Sequence, residues 1–136
     1  MNPKIIFIPS THRAIKIAAE GLRSLLKVAD TPNEVINSCE RALHELLTNQ
    51  VDHAYSGDPH EQIRVYLMIM PPNIVMETRD TGVLANIDLS SISMPAPAKP
   101  AASDYGLPII RGLVDEVSYS VQGGQNTWRL VKRLEA

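Results

Sequence analysis

Apolar residues recur along this chain with two different periods, and the changes between those periods divide it into elements. Lys4 to Pro9 is a short β-branched run and predicts a strand. From Ile15 the spacing changes: Ile15, Ala18, Ala19, Leu22, Leu25 and Leu26 share one helix face, with Lys16, Glu20, Arg23 and Lys27 opposite. Ser10 or Thr11 can cap the start of this helix. Thr31-Pro32-Asn33-Glu34 announces a second one, with a capping threonine, a proline at the first helical position and a glutamate three residues on. Behind it Val35, Ile36, Cys39, Leu43, Leu46, Leu47, Gln50 and Ala54 form a stripe about 20 residues long. The Ser56-Gly57-Asp58-Pro59 cluster ends it.

Ile63 to Met70 then alternates as a strand, and Pro71-Pro72-Asn73 turns the chain into a second strand, Ile74 to Arg79. From Leu84 to Ser103 the sequence is rich in Pro, Ala and Ser with little periodicity, and a stretch of that length is usually functional or disordered. Leu107 to Val114 predicts a short helix. Val117-Tyr119-Val121 alternates as a strand, Gly123-Gly124 makes a turn, and Thr127 to Leu134 returns as the last strand. The order β-α-α-β-β-loop-α-β-β describes an α+β two-layer sandwich, with hairpin-joined strands covered on one face by helices. No repeat or linker divides residues 1–136, so one domain is expected.

Composition narrows the setting. A chain of 136 residues can bury one core without metals or disulfides. The net charge of −2 supplies no field that would draw it to nucleic acid or anionic lipid. Its one cysteine, Cys39, cannot close an internal disulfide, and a reducing compartment is the simplest setting. The run Ile5 to Ile8 is too brief for a signal-peptide core or a membrane span. A cytoplasmic protein with no nucleic acid or membrane partner is expected.

Two places could carry chemistry. On the polar side of the second helix, Glu45, Asn49 and Asp52 lie within roughly 60° of one another. An amide oxygen is a hard ligand suited to magnesium, and a carboxylate one turn away can accept a proton. A solvated helix face gives the same pattern, so the spacing alone decides nothing. Asp80-Thr81-Gly82 ends a strand, and alternation turns Asp80 to the same face as Ile74 and Met76, towards the helices. A carboxylate in that layer is costly unless it is paired, and the exocyclic amino group of a purine would serve. A turn-forming tripeptide accounts for it equally well. Aspartic proteases use the same tripeptide, but they need two copies on an all-β scaffold, and here one copy follows two helices. His12, His44, His53 and His60 show no metal-ligand spacing with Cys39, which sits on the buried stripe, while His12 and His60 read as exposed.

The segment Glu45-Leu-Leu-Thr-Asn49-Gln-Val-Asp-His53-Ala-Tyr55 resembles the N-box of the GHKL ATPases, in the form found in anti-sigma-factor serine kinases. Asp80-Thr-Gly82 resembles their G1 box. Gly106-Leu-Pro-Ile-Ile-Arg-Gly-Leu-Val-Asp115 resembles their G2 box and following helix, and Gly123-Gly-Gln-Asn-Thr127 their closing hairpin. The resemblance covers nearly the whole chain, in order, and implies the Bergerat fold with a mixed sheet. It also implies roles: Glu45 as general base towards a serine of a partner protein, and Asn49 as the magnesium ligand beside ATP. Asp80 would accept from the adenine amino group, Gly82 and Gly106 would let the backbone approach the nucleotide, and Thr127 would approach the adenine. Residues 84–103 would form the lid. The implied partners are a sigma factor and a STAS-domain antagonist, with a homodimer through the sheet edge or first helix.

One departure matters. The family's lid usually ends in Gly-Gly-Leu-Gly-Leu, where this chain has Tyr105-Gly106-Leu107-Pro108-Ile109. Tyr105 adds bulk, and Pro108 removes an amide donor from a first helical turn. Losing one donor to a charged group costs about 1.5–3 kcal/mol, or roughly tenfold to a hundredfold in affinity. Two readings therefore stand: an active serine kinase, favoured by Glu45 and Asn49, and a non-catalytic partner-binding module on the same fold, favoured by the eroded turn. A sensor histidine kinase catalytic domain is disfavoured, because the chain has no room for a dimerisation helix pair.

Overall fold

The computed structural model describes residues 3–54, 61–81 and 106–134. The expected lid at 84–103, with Gly82 and Tyr105, lies outside them. Strand β1 (Lys4–Pro9) leads into α1 (His12–Val28) and α2 (Asn33–Asn49), and α2 continues as a π-helical turn, Gln50–Ala54. Strands β2 (Gln62–Met70) and β3 (Asn73–Asp80) form the first hairpin. The short α3 (Leu107–Arg111) precedes β4 (Glu116–Gln122) and β5 (Gln125–Arg133), which form the second. This is the element order that the periodicities predict.

The five strands make one sheet in the order β1-β2-β3-β5-β4. Every neighbouring pair is antiparallel, so the expected mixed sheet is corrected. The reason is topological. The passage through α3 starts β4 in the direction of β3, but the hairpin folds β5 back between them, so no parallel pair is hydrogen-bonded among the described residues.

Alternation sends Ile63, Val65 and Leu67 of β2, Ile74 and Met76 of β3, and Trp128 and Leu130 of β5 into the layer under the helices, all at 0–1% exposure. Ile15, Leu22 and Leu26 of α1 and Leu43, Leu46 and Leu47 of α2 complete that core. Tyr119 packs against Trp128, their ring centroids 4.4 Å apart.

The caps differ from expectation at one end. Thr11 caps α1, its Oγ1 accepting from the Ala14 amide at 3.2 Å. Thr31 does not cap α2. The helix begins one residue later, Pro32 takes the cap position, and its carbonyl accepts from the amides of Val35 and Ile36, each at 3.0 Å. Among the described residues no helix is long and apolar enough to cross a membrane.

Candidate functional site

Glu45 and Asn49 stand one turn apart near the end of α2, both half-buried. Asn49 Nδ2 donates back to the Glu45 carbonyl at 2.8 Å. That bond fixes the amide plane and turns Oδ1 away from the helix backbone, the orientation a hard-ligand oxygen needs. Gly106 closes against the pair. Its φ of +66° lies in the left-handed region, and a Cβ there would collide with Asn49 Nδ2 and sit 3.0 Å from Glu45 Oε1. Both the conformation and the close approach demand glycine.

The turn that follows offers few donors. The amides of Ile109 and Ile110 both bond to the Gly106 carbonyl at 3.1 Å, and Pro108 has none. Asp52, expected on the same polar face as Glu45 and Asn49, bonds instead to His12 Nε2 at 2.7 Å across the α1 start. The wider π-helical turn carries it away from its α-helical projection.

Asp80 lies on the helix-facing side of β3 at 2% exposure, as alternation predicts. The chain itself supplies partners that its burial demands. Gln50 Nε2 donates to Oδ2 at 2.5 Å, and Asn126 Nδ2 donates to Oδ1 at 2.8 Å. Tyr119 in turn donates its hydroxyl proton to Asn126 Oδ1. Thr127 does not reach this cluster. It pairs in register with Arg79 and alternates with buried Asn126 and Trp128, so its side chain falls on the outer face of the sheet. The residue of the last strand that bonds to Asp80 is the neighbouring Asn126.

Gln50, Asn126 and Tyr119 are the residues that sequence reasoning missed. Gln50 did give a signal, as the one carboxamide in an otherwise apolar stripe.

Two hollows border these groups. A groove of about 590 Å³ between α1 and α2 is lined by Lys16, Glu20, Arg41, His44 and Glu45 among others. Within it Arg23 Nε donates to Glu40 Oε2 at 2.6 Å and Nη2 to Asn37 Oδ1 at 2.9 Å. At the far strand ends a hollow of about 340 Å³ reaches Asp80 and Thr81. Among the described residues no His, Cys, Asp and Glu cluster could hold a metal by itself, so any cation held beside Asn49 would need ligands from a bound molecule. Cys39 is core: burial pushes its thiol up to about 12.

Comparison with known proteins agrees with this geometry. The family model described as histidine kinase-like ATPase domain matches residues 8–132. A search of curated proteins gave no match. Among solved structures, the chain is similar to the RsbU and RsbW domains of Rv1364c from Mycobacterium tuberculosis. The TM-score is 0.71 at 21% identity, over 98% of this chain and 32% of that one. It is also similar to the histidine kinase domain of the blue-light activated histidine kinase from Erythrobacter litoralis EL346. There the TM-score is 0.54 at 16% identity, over 93% of this chain and 62% of that one. The chain thus spans about a third of the first neighbour's length.

Proposed function

The chain belongs to the family of histidine kinase-like ATPase domains, and from that membership and the site geometry we propose that it is an anti-sigma-factor-like regulator. On this reading it binds ATP with magnesium and phosphorylates a serine of a STAS-domain antagonist. The observation that carries the proposal is the seating of Gly106 on Glu45 and Asn49, which places the start of the α3 turn directly on the acid–amide pair.

Each residue has a task that its surroundings suit. Glu45 borders the α1–α2 groove, where a partner's serine hydroxyl can approach, and its carboxylate accepts that hydroxyl's proton. Asn49 presents an amide oxygen oriented by its own bond to the Glu45 carbonyl, and this is the atom that would hold magnesium. The metal, when bound, neutralises charge on the nucleotide phosphates. Asp80 supplies the acceptor for the adenine amino group, while the role expected of Gly82 falls outside the described residues. Asn126 takes the place in the last strand first assigned to Thr127. The partners on this reading are a sigma factor and its antagonist, in the cytoplasm. Edge strand β1, with Ile5 and Phe7 48% and 58% exposed, supports a homodimer through the sheet edge. The better superposition on the neighbour described by its RsbW domain than on the sensor kinase domain favours this branch of the family.

A second reading keeps the fold and the partner surfaces without phosphoryl transfer. Pro108 favours it, together with the engagement of the Ile109 and Ile110 amides by Gly106, because a phosphate meets few free donors at this turn.

Calorimetric titration with ATP and magnesium, repeated on Asn49→Ala, separates the two. Micromolar binding that Asn49→Ala weakens about tenfold or more supports the kinase. No heat at high ATP concentration sinks it and leaves the partner-binding module.

A further inference from the structure

Gln50 is 1% exposed, yet only half of its carboxamide is engaged. Nε2 donates to Asp80, while Oε1 is buried with no hydrogen-bond partner among the described residues. This orientation is set by chemistry: a carboxylate offers only acceptors, so the NH₂ group must face Asp80 and the oxygen must face elsewhere. Amide bond lengths separate the two atoms by roughly 2.3 Å, which places the orphan oxygen within about 5 Å of Asp80 Oδ2. A buried acceptor without a donor is costly, and a methionine or leucine would fill the same space without that cost. A second buried polar atom without a hydrogen-bond partner among the described residues, Thr78 Oγ1, lies two residues before Asp80 on the same face of β3.

Building on the nucleotide reading above, we propose that Gln50 is a second base-specificity residue. The Asp80 carboxylate and the Gln50 carbonyl together accept both hydrogens of the exocyclic amino group of a 6-aminopurine. Only an NH₂ group brings two hydrogens to two neighbouring acceptors. A purine with a carbonyl at that position sets its own oxygen against both of them and is rejected by repulsion as well as by a lost bond. Thr78 supplies a hydroxyl whose proton can turn towards a ring nitrogen. The internal bond from Gln50 Nε2 to Asp80 holds the two acceptors in fixed relation before any base arrives.

The test is calorimetric titration of the full chain with magnesium-ATP and with magnesium-ITP, in which a carbonyl replaces the amino group. Wild type and Gln50→Met are compared. Gln50→Met should lower the preference for ATP over ITP about tenfold, the factor one hydrogen bond commonly contributes. ATP should weaken while ITP binds more tightly than to wild type, because one repelling acceptor is gone. An unchanged ratio in a variant with wild-type circular dichroism overturns the role of Gln50 and leaves the nucleotide reading intact. So does a loss of ATP affinity with ITP unmoved, which would mark Gln50 as acting only by holding Asp80. A measurement on wild type alone guards against a variant that fails to fold. N6-methyl-ATP, with one amino hydrogen replaced, should bind at least tenfold more weakly than ATP, and equal binding overturns the proposal. Absence of binding by all three nucleotides overturns the nucleotide reading itself, and this inference with it.

Discussion

Strand β3 carries two buried acids on opposite faces of the sheet, Glu77 at 9% exposure and Asp80 at 2%, and the chain surrounds them differently. Glu77 meets guanidinium groups: Arg79 at 2.7 Å through Nη2 and 2.9 Å through Nε, and Arg129 of β5 at 3.6 Å. Arg79 also lies over the Tyr66 ring, 4.4 Å from its centroid, and the Glu77 bond raises the guanidinium pKa further. Asp80 meets the carboxamides of Gln50 and Asn126. The contrast separates two uses of one functional group. Guanidinium partners cancel the charge of Glu77 and tie β3 to β5 on the outer face. The amides of Gln50 and Asn126 carry no charge of their own and fix the position of the Asp80 oxygens, so the carboxylate is aimed.

Asp80→Asn tests that contrast most severely. An asparagine presents one oxygen and one NH₂ group to two amides that both donate, so one meeting becomes donor against donor. Gln50 can relieve it by turning its carboxamide over, which hands its orphan Oε1 to the new NH₂ group. Stability should therefore fall by less than about 1 kcal/mol in urea unfolding, whereas ATP affinity should fall about a hundredfold or more as the acceptor is lost. A variant that binds ATP normally would break the comparison, since Asp80 would then be as structural as Glu77.

Glu77→Gln should behave in the opposite way, with a smaller effect. Its arginine partners are about two-fifths exposed, so solvent screens the pairs, and the loss should be about 1 kcal/mol in the same unfolding measurement. Nucleotide affinity should not change, because Glu77 faces away from the helices. A drop in ATP binding would mean that the outer face communicates with the site through β3.

The sequence made most of this frame readable, and the exceptions share a cause. Strand and helix periods located every strand and α-helix of the described residues in order, and alternation alone turned Asp80 inwards. A 3.6-residue period put Glu45 and Asn49 on one face, and Gly106 carried its signal in the surviving glycine of an eroded motif. What stayed hidden is set by the three-dimensional arrangement and not by the local pattern of apolar positions. Thr127 and Asn126 differ by one position, yet in a strand that difference selects the face of the sheet. Asp52 was displaced by a π-helical turn, which leaves no mark on an apolar stripe. The bond from Gln50 to Asp80 joins residues 30 apart in sequence, and no local pattern states that a buried glutamine will find a buried aspartate.

Cys39 extends the comparison to a buried group that burial governs. It is fully buried on α2, and desolvation outweighs the opposing pull of Lys132 and drives the thiol up to about 12, against an ordinary value of 9.0. A raised acid pKa in the folded state means that the neutral form is favoured there. The associated stability is complete below about pH 9 and is lost progressively between about 9 and 12, where the unfolded thiol ionises and the folded one does not. At pH 10 the loss attributable to this residue should be about 1.4 kcal/mol relative to pH 8. Urea unfolding of wild type and Cys39→Ala at the two pH values isolates it, because every other titrating group is common to both proteins. The alanine variant should be the less stable at pH 8, from the atoms it removes, yet should lose less on going to pH 10. Equal losses would mean that the thiol is hydrated in the folded state, and that burial in this layer is weaker than the amide cage around Asp80 implies.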